Sequence, residues 1–119
     1  MCATATLFRS TYFQYLEELT KLMLEDCVEL SAEERLLLEL IALRQSQDQP
    51  MMVTECMRMQ RLASPATVYR KLEALRDKDW IQVTQTPENR KSKFLVLSKR
   101  AEKYFQLHHV ALERALKAA

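Results

Sequence analysis

Thr67, Tyr69 and Arg70 bring a hydroxyl, a phenol and a guanidinium together in one short stretch. Each can hydrogen-bond to a base edge or a phosphate of a nucleic-acid duplex. Arg70 is the strongest of them, because a guanidinium can donate two parallel bonds to O6 and N7 of a guanine. Further on, Arg90, Lys91 and Lys93 offer cations for phosphates or for a minor groove. Taken singly, such cations, like Lys71 and Arg76, do no more than solvate a surface. Their order along the chain is what makes them a constellation.

The elements that must position them are legible from caps and periodicity. Ser64 is a good helix N-cap and Pro65 suits the first helical position, where its missing N–H costs nothing. Val68, Leu72 and Leu75 then form a buried stripe, opposite a face of Ala66, Thr67, Tyr69, Arg70 and Glu73. Trp80 to Thr86 alternates as a strand, Pro87 to Ser92 turns, and Lys93 to Leu97 alternates back. Ser98 caps a last helix that offers Tyr104, Phe105, Leu107, Val110, Ala111 and Leu116 for packing.

Upstream, Phe8, Tyr12, Tyr15, Leu16, Leu19, Met23 and Cys27 recur at helical steps and predict a helix from about Leu7 to Leu30. Ser31 and Glu34 form a capping-box pattern that starts a second helix. Its interior, Leu36 to Leu43, is apolar almost all round, which predicts a central position. Gln45 to Pro50 connects, a short helix follows from about Val53 to Gln60, and Arg61 to Ala63 turn. The chain has no glycine. Turns that need positive φ must use Asp or Asn, and Asp79 and Asn89 are the expected substitutes.

The fold class that follows is mainly α with a small β-hairpin (α+β): a winged helix-turn-helix in one domain, residues 1–119. Residues 1–30 supply an N-terminal helix, 31–98 the core, and 99–119 a C-terminal helix. One short helix reads few base pairs, so two copies about 34 Å apart are expected to address successive major grooves. The terminal helices are the material for that homodimer, with Phe8, Tyr12, Tyr15, Tyr104 and Phe105 as its anchors.

Charge supports the same division. The whole chain carries a net charge of only +2. Residues 1–40 hold three Lys/Arg against eight Asp/Glu, whereas residues 64–100 hold nine against four. The basic region is therefore the one expected to face an anionic partner. No apolar run is long enough to span a bilayer and no basic-then-apolar leader opens the sequence, so neither a membrane nor secretion is expected. The three cysteines are odd in number and widely spaced, as reduced thiols of a cytoplasmic protein would be.

The sequence resembles the MarR family of winged-helix transcription regulators. Ser64, Thr67, Val68 and Leu75 match the family's recognition-helix pattern, and Ile81 its apolar wing opening. Asn89-Arg90-Lys91, with Leu97-Ser98 downstream, matches its D-x-R wing and following L-T. The resemblance covers roughly Leu36 to Ala101. Asn89 stands where the family usually has Asp, Lys91 where it has Arg, and Asp79 and Ala101 replace customary glycines. The pair that braces many family wings is thus absent in its usual form. The resemblance implies a sequence-specific regulator of double-stranded DNA. It also implies a cleft for a small-molecule effector, which no residue identifies. Ser64, Pro65, Ala66, Thr67, Tyr69, Arg70, Lys71, Arg90, Lys91 and Lys93 are the expected DNA contacts.

Other chemistries find little footing. Cys27 could serve as a peroxide-sensing thiol, but Glu25, Asp26 and Glu29 oppose thiolate formation there; Cys27 and Cys56 read as small packing groups. His108 and His109 point about 100° apart on a helix and cannot share a metal. Met51, Met52, Met57 and Met59 read as gap-fillers. No nucleophile–base pair, glycine-rich phosphate loop or carboxylate pair can be assembled, so no enzyme, cofactor or metal is expected. The competing reading is a winged-helix protein-interaction module without DNA binding, favoured by the acidic first third and the modest net charge.

Overall fold

The computed structural model describes residues 10–26, 29–58 and 64–118. Along the chain come helices α1 (Thr11–Asp26), α2 (Ala32–Ser46), α3 (Val53–Met57) and α4 (Pro65–Asp77). Strands β1 (Ile81–Thr86) and β2 (Asn89–Leu97) follow, then helix α5 (Lys99–Ala118). These form two compact units, Leu30–Glu102 on the one hand and Met1–Glu29 with Lys103–Ala119 on the other.

In the Leu30–Glu102 unit, Ser31 is extended and caps α2 as its pattern predicts. Its Oγ accepts from the Glu34 N–H at 3.1 Å, and Glu34 Oε1 accepts from the Ser31 N–H at 3.3 Å. Helix α2 packs against α4 and β2 and buries Leu37, Leu38 and Ile41. Leu36 and Leu43 remain 47% and 53% exposed, so α2 hides one stripe and is not covered all round. A helix with neighbours on one flank buries that flank, whatever the opposite one is made of.

Both α2 and α4 end in the same device. After α2, Asp48 takes φ 57°, its N–H bonds Gln45 O at 3.1 Å, and the Gln49 N–H bonds Arg44 O at 3.0 Å. After α4, Asp79 takes φ 61°, its N–H bonds Arg76 O at 3.0 Å, and the Trp80 N–H bonds Leu75 O at 2.8 Å. These are Schellman turns, usually made with glycine, and the second closes on the buried Leu75 and Trp80 side chains. Asp79 is the left-handed residue the sequence suggests. Asn89 is instead the first residue of β2, and Asp48 takes the other left-handed position among the described residues.

The hairpin also differs from its sequence reading. Strand β2 begins at Asn89, four residues before Lys93, so the turn shrinks to Pro87-Glu88. The register pairs Ile81 with Leu97, Thr84 with Phe94 and Thr86 with Asn89, with an irregularity between Thr84 and Thr86. Extra residues on β2 are therefore taken up as a bulge near the tip. Alternation does not reveal this pairing, because Asn89 to Lys93 carry no apolar residue. The base is fixed from elsewhere: the Leu95 N–H donates to Met51 O at 2.8 Å, and the Leu97 N–H to Gln45 Oε1 at 2.8 Å. Ser98 closes the joint. Its N–H bonds Trp80 O at 3.1 Å, its Oγ bonds Asp79 O at 2.6 Å, and Oγ accepts from the Ala101 N–H at 3.2 Å to start α5.

The other unit contains α1 and most of α5. Helix α1 is described from Thr11 to Asp26, and Glu29 and Leu30 are not helical, so the helix does not reach the expected Leu30; Ser31 beyond it is extended to cap α2. Phe8 and Cys27 lie outside the described residues. The Tyr15 hydroxyl and His108 Nδ1 are 2.9 Å apart, and Arg114 pairs with Glu18 at 3.4 Å. Tyr104, Ala111 and Ala115 line the buried side of α5, with the Tyr104 ring edge-on to Phe105 and His108. Among the described residues no helix is long and apolar enough to cross a membrane.

Candidate nucleic-acid interface

The N-terminal half of α4 carries a row of bonded polar groups. Ser64 Oγ accepts from the Thr67 N–H at 3.4 Å and donates to Thr67 Oγ1 at 3.0 Å. Arg70 Nη2 donates to the same Thr67 Oγ1 at 3.4 Å. The three side chains thus form one chain of contacts at consecutive three-residue steps, along a single helix face. Ser64, Pro65, Ala66 and Arg70 are exposed and Thr67 is half-buried. A guanidinium held by a neighbouring hydroxyl has fewer conformations to lose when it meets a partner.

Lys71, also among the expected contacts, is half-buried. Its Nζ lies 3.4 Å from Glu33 Oε2, so its charge ties α4 to the start of α2. Tyr69 falls on a second stripe with Glu73 and Arg76, at steps of four and three. Together with Val53, Val83, Thr84, Gln85 and Lys93 these residues line an open groove of about 570 Å³ between α4 and the hairpin. Lys91 is exposed on β2; the Arg90 backbone is part of the same strand. Sequence reasoning placed Glu73 on the outer face but missed Arg76, Thr84 and Gln85 as members of a shared surface. The spacing Tyr69–Glu73–Arg76 was the available signal. Nothing in the strand pattern said which residues would face it.

The C-terminal end of α4 is anchored by charge. Lys78 Nζ lies 3.1 Å from Glu34 Oε2, and Glu34 is buried. Burial pushes the Glu34 carboxyl up, but the bonds from Lys78 and Ser31 outweigh it and hold the group below its ordinary value. Arg100 donates to Lys78 O and lies 4.1 Å above the Trp80 ring, a cation–π contact that covers the α4–β1 joint. The polar row at one end of α4 is therefore set on a helix fixed at the other.

The remaining candidates fall elsewhere. Tyr12 is 63% exposed, while Tyr104 is only 3% exposed and belongs to the core of its own unit. Tyr15 and Phe105 are half-buried. Cys56 is fully buried, which pushes its thiol up to about 11 and suits a packing role. Among the described residues no group of three or more His, Cys, Asp or Glu is placed to hold a metal ion.

A helix pair, a capped third helix and a basic two-stranded hairpin in this order define a winged helix-turn-helix, and the fold is MarR-like. The structure is similar to a MarR-like transcriptional regulator from Thermotoga maritima, with TM-score 0.66 and 17% identity over 99% of this chain and 80% of that one. It is similar to a variant of S. aureus MepR bound to an oligodeoxyribonucleotide, with TM-score 0.64 and 13% identity over 99% and 82%. It is also similar to Staphylococcus aureus MarR in complex with salicylate and kanamycin, with TM-score 0.54 and 26% identity over 90% and 67%. The chain spans 58% of the length of Lactococcus lactis ZitR, which it also resembles. No protein-family model matches the sequence, nor does any curated protein.

Proposed function

We propose that this chain is a sequence-specific, double-stranded DNA-binding transcription regulator that acts as a homodimer. Helix α4 enters the major groove, and the hairpin lies on the flanking backbone or minor groove. The observation that carries this reading is the bonded Ser64–Thr67–Arg70 row, with Ser64 and Arg70 exposed, on a capped helix beside a basic hairpin. A recognition helix meets base edges with its N-terminal residues, which is where the row stands. The likeness of fold to a MepR variant bound to an oligodeoxyribonucleotide supports it. Homodimerisation is supported by apolar side chains that the terminal unit leaves open: Tyr12, Leu24, Leu112 and Leu116 are 46–76% exposed. The likeness to a regulator in complex with salicylate supports a small-molecule effector of unidentified structure as a further partner.

The test is a mobility-shift titration on a random duplex at low salt, then on a duplex selected from bound genomic fragments. Arg70→Ala should cost about 1–3 kcal/mol on the selected duplex and much less on the random one. Lys91→Ala should weaken both equally and flatten the salt slope. Absence of binding to any duplex at micromolar protein would leave the interaction module as the better reading. Sedimentation should give twice the chain mass.

A further inference from the structure

The major and minor grooves of a duplex are separated by a sugar-phosphate strand. A protein that puts a helix in one and a hairpin in the next must let that strand pass between them. The groove between α4 and the hairpin is the passage this chain offers, open to solvent and about 570 Å³ in volume. Arg76 lines it from the helix and Lys93 from the hairpin, both exposed. Thr84 and Gln85 add a hydroxyl and an amide from β1, groups that bond phosphate oxygens without regard to sequence. Tyr69 presents an exposed ring and phenol at the same wall.

We infer that this groove seats one sugar-phosphate strand of the duplex, with Arg76 and Lys93 as phosphate ligands on its two walls. The inference rests on the proposed DNA-binding reading and adds to it Arg76, Thr84 and Gln85. It also gives α4 two separate tasks. The Ser64–Thr67–Arg70 row reads bases, while the Tyr69–Glu73–Arg76 row holds a strand in register. Glu73 is the carboxylate among the lining residues, and it opposes the two cations there. Next to a phosphodiester it weakens binding to every sequence alike, lowering overall affinity while leaving the ratio of base-specific to non-specific affinity unchanged.

Salt titrations of affinity on the selected and random duplexes test this, joined by phosphate-ethylation interference on the selected one. Arg76→Ala should weaken both duplexes by a similar factor, roughly tenfold, and lower the salt slope by about one, the signature of one lost phosphate contact. Between 50 and 200 mM salt that missing contact should make the loss of affinity about three- to fourfold smaller than for the wild type. Glu73→Gln should tighten both duplexes about two- to threefold. The wild type should be blocked by ethylation of phosphates between a major-groove half-site and its neighbouring minor groove, and Arg76→Ala should no longer sense one of them. If the wild type binds no duplex, the functional reading itself fails. If it binds and Arg76→Ala keeps the wild-type affinity, slope and interference pattern, the strand passage is wrong while the reading stands. Thermal melting of the Arg76→Ala protein at the wild-type temperature guards against loss of fold.

Discussion

Helix α4 has both its ends closed by bonds to residues close in sequence, with Glu34 and Arg100 added at its C-terminal end, whereas the hairpin is held at its base by residues far away. Ser64 and Thr67 fix the start of the helix, and the Asp79 turn with Trp80 fixes its end. The base of β2 depends on Met51 and on Gln45, whose Oε1 accepts the Leu97 N–H across 52 residues. The start and stop of α4 are therefore set locally, with tertiary anchors added at Lys71 and Lys78, while the base of the hairpin is set by residues that reach it only through the fold. The difference predicts an α4 whose ends keep their form and a wing whose placement follows the packing of α2. The irregularity between Thr84 and Thr86, near the tip, belongs to the same contrast.

The largest way to break the comparison is Trp80→Ala. The Trp80 backbone closes the Schellman turn of α4 and bonds Ser98 at the base of the hairpin, and its large side chain is buried at that joint, so both regions share it. Its loss should cost about 3–5 kcal/mol in denaturant unfolding. Hydrogen exchange should show α4 and the hairpin losing protection together; if one kept its protection, the two would not share this anchor. Gln45→Ala should act on the hairpin alone. It leaves the Leu97 N–H without its partner, at a cost of about 1–2 kcal/mol, and the β1–β2 amides should exchange faster while those of α4 do not. Ser64→Ala is the converse and the smallest, about 1 kcal/mol for a lost N-cap, with fraying confined to the first turn of α4. Equal loosening of both regions in either variant would erase the distinction between a local and a long-range element.

The same distinction explains what was legible in advance. Ser31, Ser64 and Ser98 cap the helices that their patterns announce, because a cap is a bond between residues a few positions apart. The Val68, Leu72 and Leu75 stripe is buried as its spacing requires. Asp79 adopts positive φ at the joint where a chain without glycine needs it, while Asp48 does the same unannounced. The start of β2 is not legible in the sequence because Arg90 to Lys93 carry no apolar alternation, although they belong to the strand. The ion pair of Lys71 with Glu33 depends on the approach of α2, and spacing along the chain does not show it. The burial of Tyr104 within its own unit is likewise decided by packing.

By itself, then, the sequence determined the helices, their caps, the buried stripe of α4 and the basic character of the hairpin. Each of these depends on interactions within about one turn or one strand pair, and the residue order is sufficient to state them. Tertiary structure alone decided the true start of β2, the pairing of Lys71 with Glu33, and the Glu34–Lys78 anchor, whose partners are 44 residues apart. It also decided that Tyr69, Glu73, Arg76, Thr84, Gln85 and Lys93 face one groove. Those outcomes depend on which surfaces meet in space, and spacing along a chain does not encode a meeting between elements that pack only after each has formed.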